Sequence, residues 1–190
     1  MVSSWVVLAA PIVGVLTIAR LTIVASAEKS VPRTESPLAG VDDPLALEQQ
    51  VCFALAVASR SVIAVYKPLL EPLGLTHPQY LVMLALWGSE PLKVADLSRL
   101  LQLDPGTLSP LLKRLEAIGY LRRERDPRDE RALAVVLTEK GRALRAEAEK
   151  VPPAIVERLG IDVAELLSLH RRLTEVIAAA NAANGAPTAR

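Results

Sequence analysis

Residues 94–138 have the sequence VADLSRLLQLDPGTLSPLLKRLEAIGYLRRERDPRDERALAVVLT, and this stretch decides the fold. Leucines recur at helical spacing on both sides of a short polar turn, which predicts two helices over about 94–101 and 105–118. Pro110 removes a backbone donor inside the second helix, so an early kink or an effective start nearer Thr107 is expected. Asp104 is a suitable N-cap for the second helix, and Gly119 is a natural stop at its end. The start of this helix also favours a phosphate, because its backbone N–H groups carry partial positive charge.

A charged hairpin is predicted directly after the second helix. Residues 120–125 and 132–137 have the composition of strands, and residues 126–130 (DPRDE) form a polar tip between them. Two short helices followed by a basic hairpin are the order of elements in a winged helix-turn-helix, whose second helix enters the major groove of double-stranded DNA. Each piece alone is also typical of an ordinary surface helix or turn, so the prediction depends on their order.

The second helix presents polar and basic side chains opposite its leucines. These outward residues are Thr107, Ser109, Lys113 and Arg114. Thr107 and Ser109, near the helix start, are expected to reach base edges or phosphates, whereas the two basic residues suit phosphates farther along.

The hairpin adds candidate DNA contacts at its tip, namely Arg128, Asp129 and Arg131. An arginine at such a tip enters the minor groove, where a narrow A·T tract concentrates negative potential. Asp129 is expected to hold Arg131 extended by a paired hydrogen bond. The hairpin is therefore interpreted as a DNA-binding wing.

The composition of the chain predicts a mainly α protein with a small β-hairpin wing. Hydrophobic residues make up 51% of the 190 residues and aromatic residues 3%, so the core must consist mostly of Leu, Ala and Val, and Leu and Ala are strong helix formers. The net charge of +1 gives no general attraction to nucleic acid, so any basic surface must be local. Two His and one Cys offer no metal-ligand cluster. No cofactor and no enzymatic activity are expected.

Further helices flank the predicted DNA-binding unit. They are expected at about 45–70, 79–87, 138–150 and 162–180, with the prolines and glycine of 152–160 as a break. Thr138 is the N-cap of the third of these helices, although Gly141 stands where a capping-box Glu or Gln is preferred. The segments near both ends carry apolar stripes without enough partner surface in one small domain, which indicates a homodimer.

The predicted winged-helix domain covers residues 44–182. Its DNA-binding core is 78–138, and its dimerisation helices are 45–71 and 138–180. Residues 183–190 are interpreted as a frayed tail.

The first part of the chain differs in character from the rest. Residues 28–43 are a polar segment that contains two prolines, typical of a disordered linker. Residues 1–27 are apolar, with Arg20 as their single charge. Three interpretations stay open for them: a start site placed too far upstream, a secretory signal, or a membrane anchor. Because a DNA-binding unit must face the chromosome, the expected location is the cytoplasm.

These features resemble a known family. Residues 94–138, with Asp129-x-Arg131 followed by Leu137-Thr138 in the wing, resemble the MarR family of winged helix-turn-helix transcriptional regulators. Three segments are similar to its organic-hydroperoxide-sensing (OhrR-like) subfamily: LEQQVCFALAVASR (47–60), YKPLLEPLGLTHPQYLVMLALW (66–87) and LDPGTLSPLLKRLEAIGYLRRERDPRDER (103–131). The resemblance covers about residues 45–180. Pro105 departs from it by replacing a serine, and so removes a phosphate contact.

The resemblance implies a dimeric repressor whose reduced form binds operator DNA and is released when a cysteine near the start of the first helix is oxidised. Cys52 occupies this position. In the family two tyrosines hydrogen-bond the sensing sulfur. Tyr66 matches one of them, His77 replaces the other, and Tyr80 is expected to extend the network. A neutral His77 donates one hydrogen bond, whereas a cationic His77 favours the thiolate.

The spacing of the sensing residues implies a site shared between subunits. Cys52 and Tyr66 are 14 residues apart on one predicted helix, which is about 21 Å along its axis, so they cannot meet in one subunit. A two-fold dimer predicts a palindromic operator. Because Cys52 is the only cysteine, its oxidised form is expected to react with a small cellular thiol or to be oxidised further.

Three other functions remain open from the sequence. A MarR-type repressor that responds to a small aromatic ligand would use the same DNA-binding unit, with Cys52 as an incidental buried residue. A thiol-dependent peroxidase is disfavoured, because no resolving cysteine or catalytic motif accompanies Cys52. A membrane-tethered regulator rests on residues 1–27, and without that segment no stable membrane partner is expected.

Overall fold

Seven α-helices and three short strands make up the described part of the chain. The computed structural model describes residues 43–126 and 129–185, apart from the side chains of residues 126 and 129–132. In chain order the elements are a 3-10 turn Leu47–Gln49, α1 Val51–Leu70, a second 3-10 turn Glu71–Leu73, α2 His77–Gly88, β1 Leu92–Lys93, α3 Val94–Leu101, α4 Pro105–Ile118, β2 Leu121–Asp126, β3 Asp129–Leu137, α5 Glu139–Ala148, α6 Val151–Leu159 and α7 Val163–Ala183. The predictions for residues 1–42 and for the side chains of Arg128, Asp129 and Arg131 lie outside the described residues.

The predicted mainly α fold with a hairpin wing is confirmed. α3 has the predicted bounds, and α4 begins at Pro105 and not nearer Thr107. β2 pairs antiparallel with β3, with Leu121 opposite Leu137 at the base of the wing. The bounds of α4 have local causes. The Asp104 carboxylate accepts the Thr107 N–H (2.9 Å) at its start, and Gly119 ends the helix with a φ of 83° that other residues rarely adopt.

A leucine-rich core supports α4 from one side. Fully buried side chains of this core are Leu70, Val82, Met83, Leu86, Leu97, Leu108, Leu112, Leu115, Leu121, Val135 and Leu137. They come from α1, α2, α3, α4 and the two hairpin strands, and burial of each leucine contributes about 2 kcal/mol. Because the apolar face of α4 is held by this core, its polar face is directed outward.

The first helix begins later than predicted. Residues 47–49 form a 3-10 turn, and Gln50 is extended, with a ψ of 117°. The Gln50 side-chain amide donates to the Pro44 carbonyl oxygen (2.6 Å), which stabilises this turn. The predicted dimerisation helix 45–71 is therefore wrong in its first six residues.

One described segment, Val51–Leu73, is long and apolar enough to cross a membrane by length and composition alone. Arg60 lies near the middle of α1, where a charge in hydrocarbon is costly. The apolar surface of this helix is better explained by contact with protein than with lipid.

α6 replaces the break that the sequence predicts at 152–160. Pro152 and Pro153 are its second and third residues, where a backbone N–H has no partner within the helix, so the prolines begin the helix instead of interrupting it. The short β1 is also unpredicted, and it pairs with β3 to give a sheet of order β1-β3-β2. Leu100 on α3 is 61% exposed, unlike the fully buried Leu97 of the same helix.

Candidate nucleic-acid interface and cysteine sensor

The outer face of α4 carries four residues predicted to meet DNA. Thr107, Ser109, Lys113 and Arg114 are all exposed. The Thr107 hydroxyl donates to Asp104 Oδ2 (2.6 Å). The Ser109 hydroxyl donates to the Pro105 carbonyl oxygen (2.8 Å). Because both hydroxyl protons are engaged, Thr107 and Ser109 present oxygen lone pairs, which accept hydrogen bonds from donors on base edges.

The Asp104 carboxylate occupies the start of α4, where the sequence predicts a phosphate site. It accepts the hydroxyl and the N–H of Thr107, and these bonds lower the pKa of Asp104 below its usual range. The first helical residue is Pro105, which has no N–H to offer. A phosphate at this position would meet a negative charge, so the phosphate site expected at this helix end is replaced by an internal cap.

An ion pair fixes the wing against α4. The Arg123 guanidinium contacts Glu116 Oε2 through Nη2 (2.6 Å) and Nε (3.0 Å), and the Arg123 N–H donates to Glu116 Oε1 (3.0 Å). These bonds lower the pKa of Glu116. Arg123 therefore positions the wing, whereas Lys113 and Arg114 make no ion pair with any described residue. Sequence reasoning misses this pair because its two members belong to different elements.

Three of the four predicted sensing residues lie together. The centre of the Tyr66 ring on α1 is 5.1 Å from the centre of the His77 ring, in an edge-on contact, and 6.1 Å from the centre of the Tyr80 ring. α2 begins at His77 because Thr76 and Gln79 form a capping box, in which Gln79 Oε1 accepts the Thr76 N–H (2.8 Å). This cap places His77 and Tyr80 one turn apart, both against Tyr66.

Burial sets the protonation states in the aromatic cluster of Tyr66, His77 and Tyr80. His77 is half-buried, which lowers its pKa from the usual 6.5, so its ring is neutral at pH 7. Tyr80 is 3% exposed, and its pKa is raised by burial and by the neighbouring Tyr66. Of the two roles considered for His77, this supports the neutral hydrogen-bond partner and not the cation.

Cys52 stands apart from the aromatic cluster. It is the second residue of α1 and is exposed in the chain, so it is not a buried helix cysteine. Tyr66 follows 14 residues later on the same helix, about 21 Å along the axis. The chain therefore carries the two parts of the predicted sensor at opposite ends of α1.

A cleft of about 560 Å³ opens beside His77. Apolar residues of α1, of the loop before α2 and of the start of α2 line it, together with the charged residues Arg60, Lys67 and Glu71. Its size accommodates a small organic molecule next to the aromatic cluster. Within the described ranges, no group of three or more His, Cys, Asp and Glu residues is placed to hold a metal ion.

Comparison with known proteins identifies the family. Residues 75–133 match the model of the MarR family. The chain is 41% identical over 138 residues to the organic hydroperoxide resistance transcriptional regulator of Bacillus subtilis, and the match covers 71% of this chain and 94% of the relative. The chain belongs to the MarR family.

Other MarR-type matches extend the likeness. The HTH-type transcriptional regulator TtmR of Methylorubrum extorquens is 45% identical over 130 residues, which is 68% of this chain and 67% of TtmR. The structure of reduced AbfR bound to DNA matches with a TM-score of 0.57 and 34% identity over 69% of this chain and 91% of AbfR. Overoxidised AbfR bound to DNA gives a TM-score of 0.55 and 35% identity over 68% and 94%. The chain is thus a MarR-type transcriptional regulator with a DNA-binding winged helix, and not an enzyme.

Proposed function

We propose that this MarR-type regulator is a dimeric repressor that leaves its operator when Cys52 is oxidised by an organic hydroperoxide. One observation carries the proposal: Cys52 and the aromatic cluster lie at opposite ends of α1, so a sensor site needs the cysteine of one subunit and the cluster of the other. In a two-fold dimer whose two α1 helices cross, the partner's Cys52 lies at the aromatic cluster of the first subunit. The symmetry then gives two identical sensor sites. The hydroperoxide-resistance regulator among its relatives supports the choice of oxidant.

Uncovered apolar helices support the dimer. α7 spans 21 residues and buries none of its side chains, and residues 51–64 of α1 are exposed. Apolar side chains left in water include Val51, Leu55, Val62, Leu167, Leu169, Val176 and Ile177. A long helix with an apolar stripe needs a partner for that stripe, and a second copy supplies one. The proposed dimerisation helices are therefore α1 and α7, in a domain that spans 44–182 with a DNA-binding core at 78–138.

The proposed reaction oxidises the sulfur and reduces the hydroperoxide. The Cys52 thiolate attacks the distal oxygen of ROOH, the O–O bond breaks, and the products are a Cys52 sulfenic acid and the alcohol ROH, which takes up the thiol proton. A small thiol then condenses with the sulfenic acid to give a mixed disulfide and water, because the chain has no second cysteine. Overoxidised AbfR is bound to DNA in its structure, so we assign release to the sulfenic or mixed-disulfide stage.

On the DNA, the proposal places two reading helices in successive major grooves of a palindromic duplex. The proposed contacts are Thr107, Ser109, Lys113 and Arg114 on α4, and Arg128, Asp129 and Arg131 in the wing. Oxidation at the subunit interface alters the spacing of the two α4 helices, which breaks their match to the operator. A repressor acts where the chromosome is, so the proposed location is the cytoplasm.

Operator binding of the full chain, with and without tert-butyl hydroperoxide, tests the proposal. The operator is first selected from random-sequence DNA with the reduced wild-type chain. Oxidation is expected to weaken binding of the wild type by at least about 10-fold, with an intact-mass gain of one oxygen or one small thiol. Cys52→Ser is expected to keep its affinity. Release of both proteins would show that Cys52 is not the sensor, and failure of dithiothreitol to restore wild-type binding would show that the release is damage.

Replacing Lys113 or Arg114 by Ala is expected to weaken binding to operator and to random DNA by similar factors. A dimer loses two phosphate contacts in each variant, so the slope of log K against log salt concentration should fall by about 1.8. Fluorescence anisotropy at several salt concentrations measures this slope. Lys150→Ala is the control, since Lys150 pairs with Glu147 outside the DNA-binding core. A variant whose slope equals that of the control contradicts the contact assigned to that residue.

A repressor that responds to a small aromatic ligand is the second candidate, and the cleft beside His77 favours it. Such a ligand would act without a change in the mass of Cys52. Release of the Cys52→Ser variant by salicylate at a concentration that also releases the wild type would support this alternative. No release by salicylate, together with release by hydroperoxide in the wild type alone, supports the redox sensor.

A further inference from the structure

Tyr120 connects the end of the reading helix to the segment that carries the sensor. It follows Gly119, the stop of α4, and is 8% exposed. Its hydroxyl donates to the Leu73 carbonyl oxygen (2.9 Å), across 47 residues of sequence. Leu73 ends the 3-10 turn between α1 and α2, so this hydrogen bond reaches the backbone that joins Tyr66 to His77.

The rest of Tyr120 is held by the DNA-binding unit. Its N–H donates to the Leu115 carbonyl oxygen of α4 (3.0 Å), and its own carbonyl oxygen accepts the Thr138 N–H at the start of α5 (3.0 Å). The Lys140 ammonium lies 4.8 Å from the centre of its ring. Tyr120 therefore cannot follow a movement of Leu73 without pulling on the end of α4 and the base of the wing.

Movement of the sensor must pass through the same turn. Tyr66 precedes the turn Glu71–Leu73 and His77 follows it, and the centres of their two rings are 5.1 Å apart. A bulkier oxidised sulfur placed between these rings would change their separation, and the backbone of the turn is the covalent link between them. The hydrogen bond from Tyr120 is aimed at this link and not at either ring.

We propose that Tyr120 is a positioning residue that couples the sensor turn to the reading helix through its hydrogen bond to Leu73. The inference rests on the proposed function for the nature of the signal, but the coupling itself is a property of the reduced protein. By linkage, operator DNA that orders α4 must also order the turn, because the effect of one site on another is reciprocal. Tyr120→Phe keeps the ring and removes the hydroxyl that makes the link.

Hydrogen–deuterium exchange of the reduced full chain, free and bound to its selected operator, tests the coupling. In the wild type, operator binding is expected to slow exchange in residues 71–80 by at least about 5-fold, the lower end of typical coupling. Tyr120→Phe should lose this protection while its α4 remains protected by DNA. Lys140→Met is the matched control, since it removes a contact to the same ring and a hydrogen bond to the Ile118 carbonyl oxygen (2.9 Å) but leaves the bond to Leu73, and it should keep the protection.

A second readout uses the oxidised protein. The ratio of operator Kd between oxidised and reduced chains should fall by about 5-fold or more in Tyr120→Phe, with an unchanged rate of Cys52 mass gain. Protection of residues 71–80 that persists in Tyr120→Phe, or that is absent in the wild type, overturns the coupling. If Lys140→Met loses the protection to the same extent, the effect comes from a general loosening of the structure around Tyr120, and the coupling is overturned as well. A wild type that shows the protection but is not released by hydroperoxide refutes the proposed function and leaves the coupling supported.

Discussion

Gly141→Ala is expected to destabilise the protein by about 3 kcal/mol, at the upper end of what overpacking usually costs. A Cβ atom on Gly141 would lie 1.9 Å from the Tyr120 carbonyl oxygen and 2.9 Å from its carbonyl carbon. These are backbone atoms, so no side-chain rotation relieves the clash. Scanning calorimetry at a fixed chain concentration should show a Tm about 6–12 °C below that of the wild type.

Hydrogen bonds on either side of Gly141 prevent α5 from moving away. The Gly141 N–H donates to Thr138 Oγ1 (3.1 Å), and its carbonyl oxygen accepts the Trp87 indole N–H (2.9 Å). Gly88→Ala is the control, because Gly88 is exposed at the end of α2 and a Cβ there meets nothing within 4 Å. That variant should be neutral or slightly stabilised. If Gly141→Ala has the same Tm as the Gly88→Ala control, the close approach of Gly141 to the Tyr120 carbonyl group is contradicted.

Gly141 also shows which features of the fold local sequence signals miss. From the helix alone a Glu or Gln is preferred at this position of α5, and the reason for Gly is a contact with Tyr120 in another part of the chain. The ends of α4, by contrast, are predictable because Asp104 and Gly119 act on their own neighbours. The start of α6 is ambiguous in sequence, since a Pro-Pro pair is compatible both with a break and with a first helical turn.

In the candidate site, too, some features can be predicted from the sequence and others depend on tertiary packing. The resemblance supplies Cys52 and the three members of the aromatic cluster, and helical spacing is enough to place Cys52 and Tyr66 far apart on one helix. The neutral state of His77 needs the burial that tertiary packing creates. The brace of Arg123 on Glu116 needs the wing to fold back on α4. Neither follows from the order of residues.

Ile177→Glu is expected to turn the dimer into a monomer and to weaken operator binding by about 100-fold or more, because a dimer gains at least this factor from engaging two half-sites together. Ile177 is 47% exposed on α7, a helix that buries no side chain within its own chain. In the proposed dimer the partner covers this position. A carboxylate there would lose its water without gaining a partner charge. Light scattering coupled to size-exclusion chromatography measures the mass, and anisotropy measures the affinity.

Ala179→Glu is the matched control for Ile177→Glu. It adds the same charge to the same helix, about 200° farther around its axis, on the face where Arg172 pairs with Glu175 (3.1 Å). This variant should remain a dimer with wild-type affinity. If Ile177→Glu is also dimeric and binds normally, the subunit interface does not use the apolar stripe of α7. If both variants become monomers, the effect is one of added charge and not of the stripe. If Ile177→Glu is a monomer and Ala179→Glu is a dimer, the result supports the dimer in which the partner's Cys52 reaches Tyr66 and His77. The Ile177→Glu monomer should then also lose hydroperoxide sensing.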